Sequence, residues 1–310
     1  LLIYPFENWD RGLKIYLVGF IFTGYFSKLI PVFLLGLDDI RRIFQKLFKK
    51  NRIPADASIT AIPRSEFLKK IGVISGGMLF TAMMGGMLKW VTDFRVRRNT
   101  IELIGLPEPF IGYRIVQFSD IHLGGWPSKK ELEEAVQLMN NLNPDVIFFT
   151  GDLVNYKTDE AFEFKEILAE LKAKDGVFAI LGNHDYGDYS PWPDEPSKQE
   201  NMKKLYDFYQ QLGWKLLRNE NHIIYRSGEQ LAILGLENWG SLSRFQKYGD
   251  LDQSLKGVEH IQTKILLSHD PSHWELKTLN STSTIGLTLA GHTHAAQFGF
   301  EFPGFRWSPS

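Results

Sequence analysis

The chain has 310 residues, 44% of them apolar and 23% charged, enough to bury a sizeable core and hold one main globular domain plus something smaller. A formal net charge of -1 gives no global basic field for a nucleic-acid partner and no acidic tail for a cationic one. There is no cysteine, which excludes disulfides and thiolate metal sites and leaves histidine, carboxylate and amide as ligand types.

The chain opens on Leu1 rather than methionine, as expected of a processed or cut N-terminus. Residues 1–100 read as a membrane-associated helical region. Ile15 to Leu37 is a candidate span interrupted by Lys28 and Pro31. A lysine in mid-span costs about 2.5–3.5 kcal/mol on insertion scales, so this stretch either crosses or forms two shorter interfacial pieces. Residues 38–70 form a basic loop with nine Lys or Arg against four acids. Ile71 to Leu88 runs for 18 residues without a charge and is read as a transmembrane helix. That length just suffices for a hydrocarbon core of about 30 Å. Gly72 and Gly76, in small-xxx-small spacing, would let another helix approach. The plainer alternative is a glycine-rich core helix of a soluble protein.

By the positive-inside rule the loop stays in the cytoplasm and the rest of the chain lies on the other face. Lys89, Arg95, Arg97 and Arg98 on the far flank pull against that, leaving the cytoplasmic face as the alternative. "PRSEFLKK", residues 63–70, resembles a twin-arginine export signal, but Ser65 stands where the second arginine belongs.

From about Tyr113 the pattern becomes globular. "RIVQFSD", "DVIFFTGD", "VFAILGNHD", "KILLSHD" and "IGLTLAGHTH" each read as a buried strand running into a polar loop. "KKELEEAVQLMNNL", "EAFEFKEILAELKAK" and "KQENMKKLYDFYQQLG" space their apolar residues by three and four and predict helices, the last stopped at Gly213. The alternation predicts a layered α/β domain over residues 110–310. Its strands end in Asp120 and His122, Asp152, Asn183 to Asp185, His269 and Asp270, and His292 and His294. Loops at the carboxyl ends of such strands converge on one crevice. Five of the eight histidines fall in them, whereas His222, His260 and His273 are expected in loops or on the surface. Imidazole and carboxylate together suit Mn, Fe, Zn or Co, and a carboxylate bridging two ions would help turn a shared water into hydroxide that attacks a phosphoryl group.

The ordered blocks D-x-H (Asp120, His122), G-D (Gly151, Asp152), G-N-H-D (Gly182 to Asp185), His269 and G-H-x-H (Gly291 to His294) resemble the calcineurin-like metallophosphoesterase family over Tyr113 to Phe300. The apolar N-terminal segment resembles its membrane-associated bacterial branch. The resemblance implies an α/β/β/α sandwich and two divalent metal ions. Asp120, His122 and His294 would bind the first ion, Asp152 would bridge, and Asn183, His269 and His292 would bind the second. His184 would contact the phosphate and protonate the leaving oxygen, with Asp185 supporting from behind. Ala295 and Ala296 replace glycines usual in this branch. The chain stops at Ser310 where the family generally continues, so a C-terminal truncation is expected.

The resulting expectation is a membrane-anchored hydrolase of a phosphodiester, pyrophosphate or phosphomonoester, on a lipid-linked substrate if the anchor holds the site near the bilayer. Its catalytic domain would be extracytoplasmic. The competing class is a non-catalytic metal-binding interaction module on the same fold, which loss of ligands would favour. Arg244 and Lys247 are candidate phosphate contacts, their plainer role being solvated loop charges. Residues 186–200 would either cap the site or act as a solvated connector. With no dense Lys/Arg run in the catalytic part, no nucleic-acid partner is expected.

Overall fold

A computed structural model describes residues 9, 11–48, 64–89, 93–126, 128–281, 284–294, 300–302 and 304–307. The chain divides into two compact units, Leu1–Arg97 and Arg98–Ser310.

The first unit holds α1 (Arg11–Phe26), α2 (Leu29–Phe48) and α3 (Arg64–Lys89). Large apolar side chains point outward along all three, among them Phe22, Phe33, Val73 and Met78. Only 11% of the apolar window in each candidate span is buried, which argues against a soluble-core helix. The expected interruption falls at Ser27 and Lys28, between α1 and α2. Three residues on stands Pro31, which lacks an amide proton. The Pro31 ring packs where α3 offers no side chains. A Cβ on Gly72 would lie 3.0 Å from Pro31 Cβ, and one on Gly76 would lie 3.0 Å from the Ser27 carbonyl oxygen. The small-xxx-small spacing is therefore spent on close packing within this unit.

The second unit is built on two sheets. The first runs in parallel order through β1 (Ile115–Phe118), β2 (Val146–Phe149), β3 (Val177–Ala179) and β4 (Lys215–Leu216). The second holds β5 (Glu220–Arg226), β6 (Glu229–Gly235), β7 (Lys264–Leu267) and β8 (Leu287–Leu289). Its first pair is an antiparallel hairpin and the rest is parallel. A short hairpin follows, β9 (Phe300–Phe302) with β10 (Phe305–Trp307).

Strand alternation sorts the core into layers. Ile147, Phe149 and Ala179 face α4 (Lys129–Asn141), α5 (Lys165–Leu168) and α6 (Glu195–Leu212), meeting Leu132, Val136, Leu205, Phe208 and Tyr209. Their neighbours Val146, Phe148, Phe178 and Ile180 point the other way, against Ile224, Leu231, Ile233, Ile265 and Leu267 of the second sheet. Ala232, Leu234 and Leu266 cover the outer side with Leu255 of α7 (Leu251–Leu255), Val258 and Ile261. Each fully buried Phe, Leu or Ile contributes about 1.5–3 kcal/mol. The result is the α/β/β/α sandwich.

An ionic clamp ties the sheets together at the amino ends of β1 and β2. Arg226 closes on Asp145 at 3.0 Å and Asp175 at 2.9 Å, and Tyr113 donates its hydroxyl to Asp175 at 2.7 Å. Burial raises the Asp145 pKa, but hydrogen bonds from Lys174, the Arg114 amide and Arg226 outweigh it and hold the group at about 2.

Two of the predicted helices form as expected. α4 runs from Lys129, and α6 is capped by Asp194, whose carboxylate accepts from the Ser197 amide at 2.8 Å; the chain leaves α6 at Gly213 with φ 73°. The "EAFEFKEILAELKAK" helix is a correction: the segment folds as two short 3-10 turns and the single turn of α5. Glu160 turns back to accept from the Asn155, Tyr156 and Lys157 amides. Asn140 of α4 takes the Glu170 carbonyl and the Lys172 amide. Tertiary partners thus claim the groups a longer helix would have paired internally.

Candidate metal centre

Every strand-end block identified in the sequence arrives at one place. Asp120, His122, Asp152 and His294 each offer a ligand atom within 4.8 Å of the others, and Asp152, His269 and His292 form a second such group. Asp152 belongs to both. The chemistry of this donor set, carboxylate with imidazole, suits a borderline divalent cation.

The atoms facing inward are set by hydrogen bonds behind them. The His184 amide donates to Asp152 Oδ1 at 2.9 Å, leaving Asp152 Oδ2 to face His269 Nε2 at 3.2 Å and His122 Nε2 at 3.6 Å. His269 Nδ1 lies 2.7 Å from the Thr150 carbonyl oxygen, so it carries the proton and presents Nε2 to Asp152 and, at 3.2 Å, to Asn183 Oδ1. His294 Nε2 stands 3.1 Å from Asp120 Oδ1 and 3.1 Å from His122 Nε2. His292 Nε2 reaches Asp270 Oδ2 at 3.6 Å, and the His292 amide donates to the Asp120 carboxylate at 3.0 Å.

The backbone is bent to achieve this. Among the described residues, eight non-glycine positions have positive φ, and five of them are Asp120, His122, Asp152, His292 and His294. Asp and His tolerate the left-handed region better than β-branched residues do, but it still costs free energy. Concentrated here, it aims consecutive loop side chains into one pocket. Gly151, at φ 98°, solves the tightest approach: a Cβ there would lie 2.5 Å from the Gly182 amide nitrogen and 2.8 Å from His269 Nδ1. Gly182 and Gly291 are likewise close against Asp152 and Asp120.

Asp185 is fully buried, and its carboxylate accepts from the amides of Gly182 at 2.8 Å, Asp152 at 2.9 Å, Leu153 at 2.8 Å and Val154 at 3.3 Å. It thereby pins the loop after β2 to the loop after β3. Burial and the Asp152 charge push its pKa up to about 7, against the pull of those amides. For Asp152 burial also raises the pKa, but His269 overrides it and holds the group at about 2. Burial lowers His269, and the Asp152 charge more than compensates, raising it to about 9.

His184 sits beside the cage with Nδ1 at 2.8 Å from the Asn155 carbonyl oxygen and its ring 4.8 Å from that of His122. Arg244 is exposed, with its guanidinium 4.8 Å from the Phe245 ring, which in turn packs on His292 at 4.9 Å. Lys247 lies over Trp239 at 5.4 Å, and its backbone bridges that residue. Residues 186–200 do reach the site: Tyr189 accepts from Asn183 Nδ2 at 2.9 Å and its ring lies 4.5 Å from that of His184. No spacing or motif singles Tyr189 out, and sequence reasoning passed over it. Two histidines expected in loops or on the surface are elsewhere. His222 lies on β5, and His273 is buried in α8 (Ser272–Leu276), where it meets Thr278 at 3.1 Å. His260 is exposed, as expected. Ala295 and Ala296 lie outside the described residues.

Comparison with known proteins finds relatives of both units. Residues 1–90 match the family described as "Probable Calcineurin-like phosphoesterase, transmembrane domain", so the chain is membrane-associated. A Danio rerio "Transmembrane protein with metallophosphoesterase domain" is 30% identical over 229 residues, 71% of this chain and 49% of that protein. The "Uncharacterized metallophosphoesterase YkuE" of Bacillus subtilis is 28% identical over 255 residues, 78% of this chain and 80% of that protein. The "UDP-2,3-diacylglucosamine pyrophosphatase LpxG" of Chlamydia trachomatis is 35% identical over 119 residues, 36% of each. The chain spans about half the length of the first curated relatives it matches. Residues 113–296 match the "Calcineurin-like phosphoesterase" family, and with more than half of its length inside that match the chain belongs to this family.

Proposed function

We propose that this chain hydrolyses a phosphodiester, pyrophosphate or phosphomonoester at a dinuclear centre, with residues 1–100 as membrane anchor and 110–310 as catalytic domain. The observation that carries the reading is the double membership of Asp152, one carboxylate shared by two donor groups each within 4.8 Å. Asp120, His122 and His294 would hold one ion, Asn183, His269 and His292 the other, and Asp152 Oδ2 would bridge. Two divalent ions, Mn, Fe or Zn, would supply an activated water and neutralise charge on the phosphoryl oxygens.

The protein's own groups complete the reaction. Thr150 fixes the His269 tautomer through its carbonyl oxygen. Asn155 does the same for His184, keeping a proton on Nδ1 and leaving Nε2 as the atom that carries the second proton to the departing oxygen. Arg244, exposed beside Phe245, would meet a negatively charged part of the substrate, whereas Lys247 is engaged with Trp239. A lipid-linked pyrophosphate suits the membrane anchor and the resemblance to LpxG, and the basic stretch 38–70, which is not all loop because 38–48 belong to α2 and 64–70 to α3, favours an extracytoplasmic catalytic domain.

Metal analysis and turnover of a chromogenic phosphodiester with added Mn, for wild type and Asp152→Ala, test the hydrolase reading. Wild type should hold two ions and turn over, and the variant should lose both properties. Turnover that survives metal removal or Asp152→Ala overturns it. A screen of lipid-linked and nucleotide pyrophosphates tests substrate class, and a reporter fused after Phe110 that reads cytoplasmic would reverse the orientation.

A further inference from the structure

Asn183 is 2% exposed, and its carboxamide has two chemically different ends. Only the oxygen can bind a cation. Giving Oδ1 to an ion leaves Nδ2 in a buried place with two protons and a need for an acceptor. Tyr189 supplies one: its hydroxyl oxygen lies 2.9 Å from Asn183 Nδ2, on the side away from His269 Nε2, which faces Oδ1 at 3.2 Å. The same tyrosine lays its ring 4.5 Å from that of His184, so one side chain touches both a candidate ligand and the candidate proton donor.

Tyr189 does not hang free in its loop. The Ser190 amide donates to the Gly187 carbonyl at 3.2 Å, and Trp192 Nε1 donates to the same oxygen at 2.7 Å. Asp188 is paired with Lys198 and accepts from Gln246, and the Tyr186 hydroxyl accepts from the Asn238 amide at 3.0 Å. These bonds fasten residues 186–192 to α6 and to the 238–250 loop on either side of the tyrosine.

We propose that Tyr189 is a positioning residue of the dinuclear centre: by accepting from Asn183 Nδ2 it holds the carboxamide oxygen toward the second ion, and its ring fixes the plane of His184. The inference rests on the two-ion reading above. It makes Tyr189 selective between the ions, because its hydroxyl meets Asn183 and its ring meets His184, and among the described residues it makes no hydrogen bond or ring contact with Asp120, His122 or His294.

The test uses the full chain in detergent, stripped with chelator and titrated calorimetrically with Mn(II). Tyr189→Phe keeps the half-exposed ring and removes one oxygen. It should leave one ion's affinity unchanged and weaken the other by about 10-fold, the lower end for a group supporting a ligand. Asn183→Ala should weaken the same ion, and the double variant should match Asn183→Ala alone, since the hydroxyl then has no amide to hold. Equal weakening of both ions, no weakening, or additive losses in the double variant would overturn the proposal, as would a wild type that takes up fewer than two ions. A wild type that binds two ions and shows this pattern but hydrolyses no phosphoester would sink the hydrolase reading and leave the assignment of Tyr189 standing.

Discussion

Replacing Gly151 by alanine adds one methyl group at the most crowded point of the cage. Two costs combine. The residue sits at φ 98°, where an L side chain is strained by about 1–3 kcal/mol. The new Cβ would also stand 2.5 Å from the Gly182 amide nitrogen, 2.8 Å from Gly182 Cα and 2.8 Å from His269 Nδ1. Two of these are backbone atoms that cannot swing aside, so relief must come from separating the loops after β2 and β3, at about 1–3 kcal/mol for overpacking. A combined loss near 4 kcal/mol lowers the melting temperature of a unit this size by about 8–16 °C. The movement also carries Asp152 away from His269 and from the His184 amide, so two-ion binding should fail even in the folded fraction. Circular dichroism melts and Mn(II) titration of Gly151→Ala check both parts. A variant that melts within about 2 °C of wild type and still takes up two ions would refute the close-packing argument.

Three further outcomes follow from the same geometry. In metal-free protein the Asp152–His269 pair stabilises the fold fully between about pH 4 and 6.5; it weakens as pH rises through the His269 value of about 9 and as it falls toward the Asp152 value of about 2. Melts of chelated protein across pH 5–10 should therefore decline on the alkaline side, and added Mn should flatten that decline because a bound imidazole is already neutral. His184→Ala should reduce kcat by about 10²–10⁴-fold on an alkyl phosphoester, and by less on a nitrophenyl ester whose leaving group needs no proton, with metal content unchanged. Equal losses on both substrates would remove the proton-donor role. Arg226→Met leaves Asp145 to Lys174 and Asp175 to Tyr113, and should cost about 1–3 kcal/mol in denaturant melts while turnover per folded molecule stays level.

Much of this was legible because two kinds of signal are local. Apolar runs such as Val146–Phe149 mark strands by themselves, and a topology that places their carboxyl ends together gathers Asp120, Asp152, Asn183, His269 and His294 without further information. Lys28 and Pro31 announced the break between α1 and α2 by composition alone. The segment 160–174 was misread because its helical spacing is real but its backbone groups are claimed by Asn140 and by Glu160, partners that spacing cannot reveal. The burial of His273 was not legible because it depends partly on Trp239, 34 residues away, whose ring packs at 5.4 Å, beside the nearer Thr278 hydroxyl at 3.1 Å. Tyr189 stayed hidden for a similar reason: its role depends on which end of a carboxamide it faces, and letters carry no orientation.

The five donors held at positive φ have a bearing on how such a chain can drift. At about 1 kcal/mol each, their conformations together store some 5 kcal/mol, close to the whole margin by which a domain of this kind stays folded. On the two-ion reading proposed above, cation binding would offset that load, so a descendant that took on a scaffolding role without ions would gain stability by relaxing these very loops.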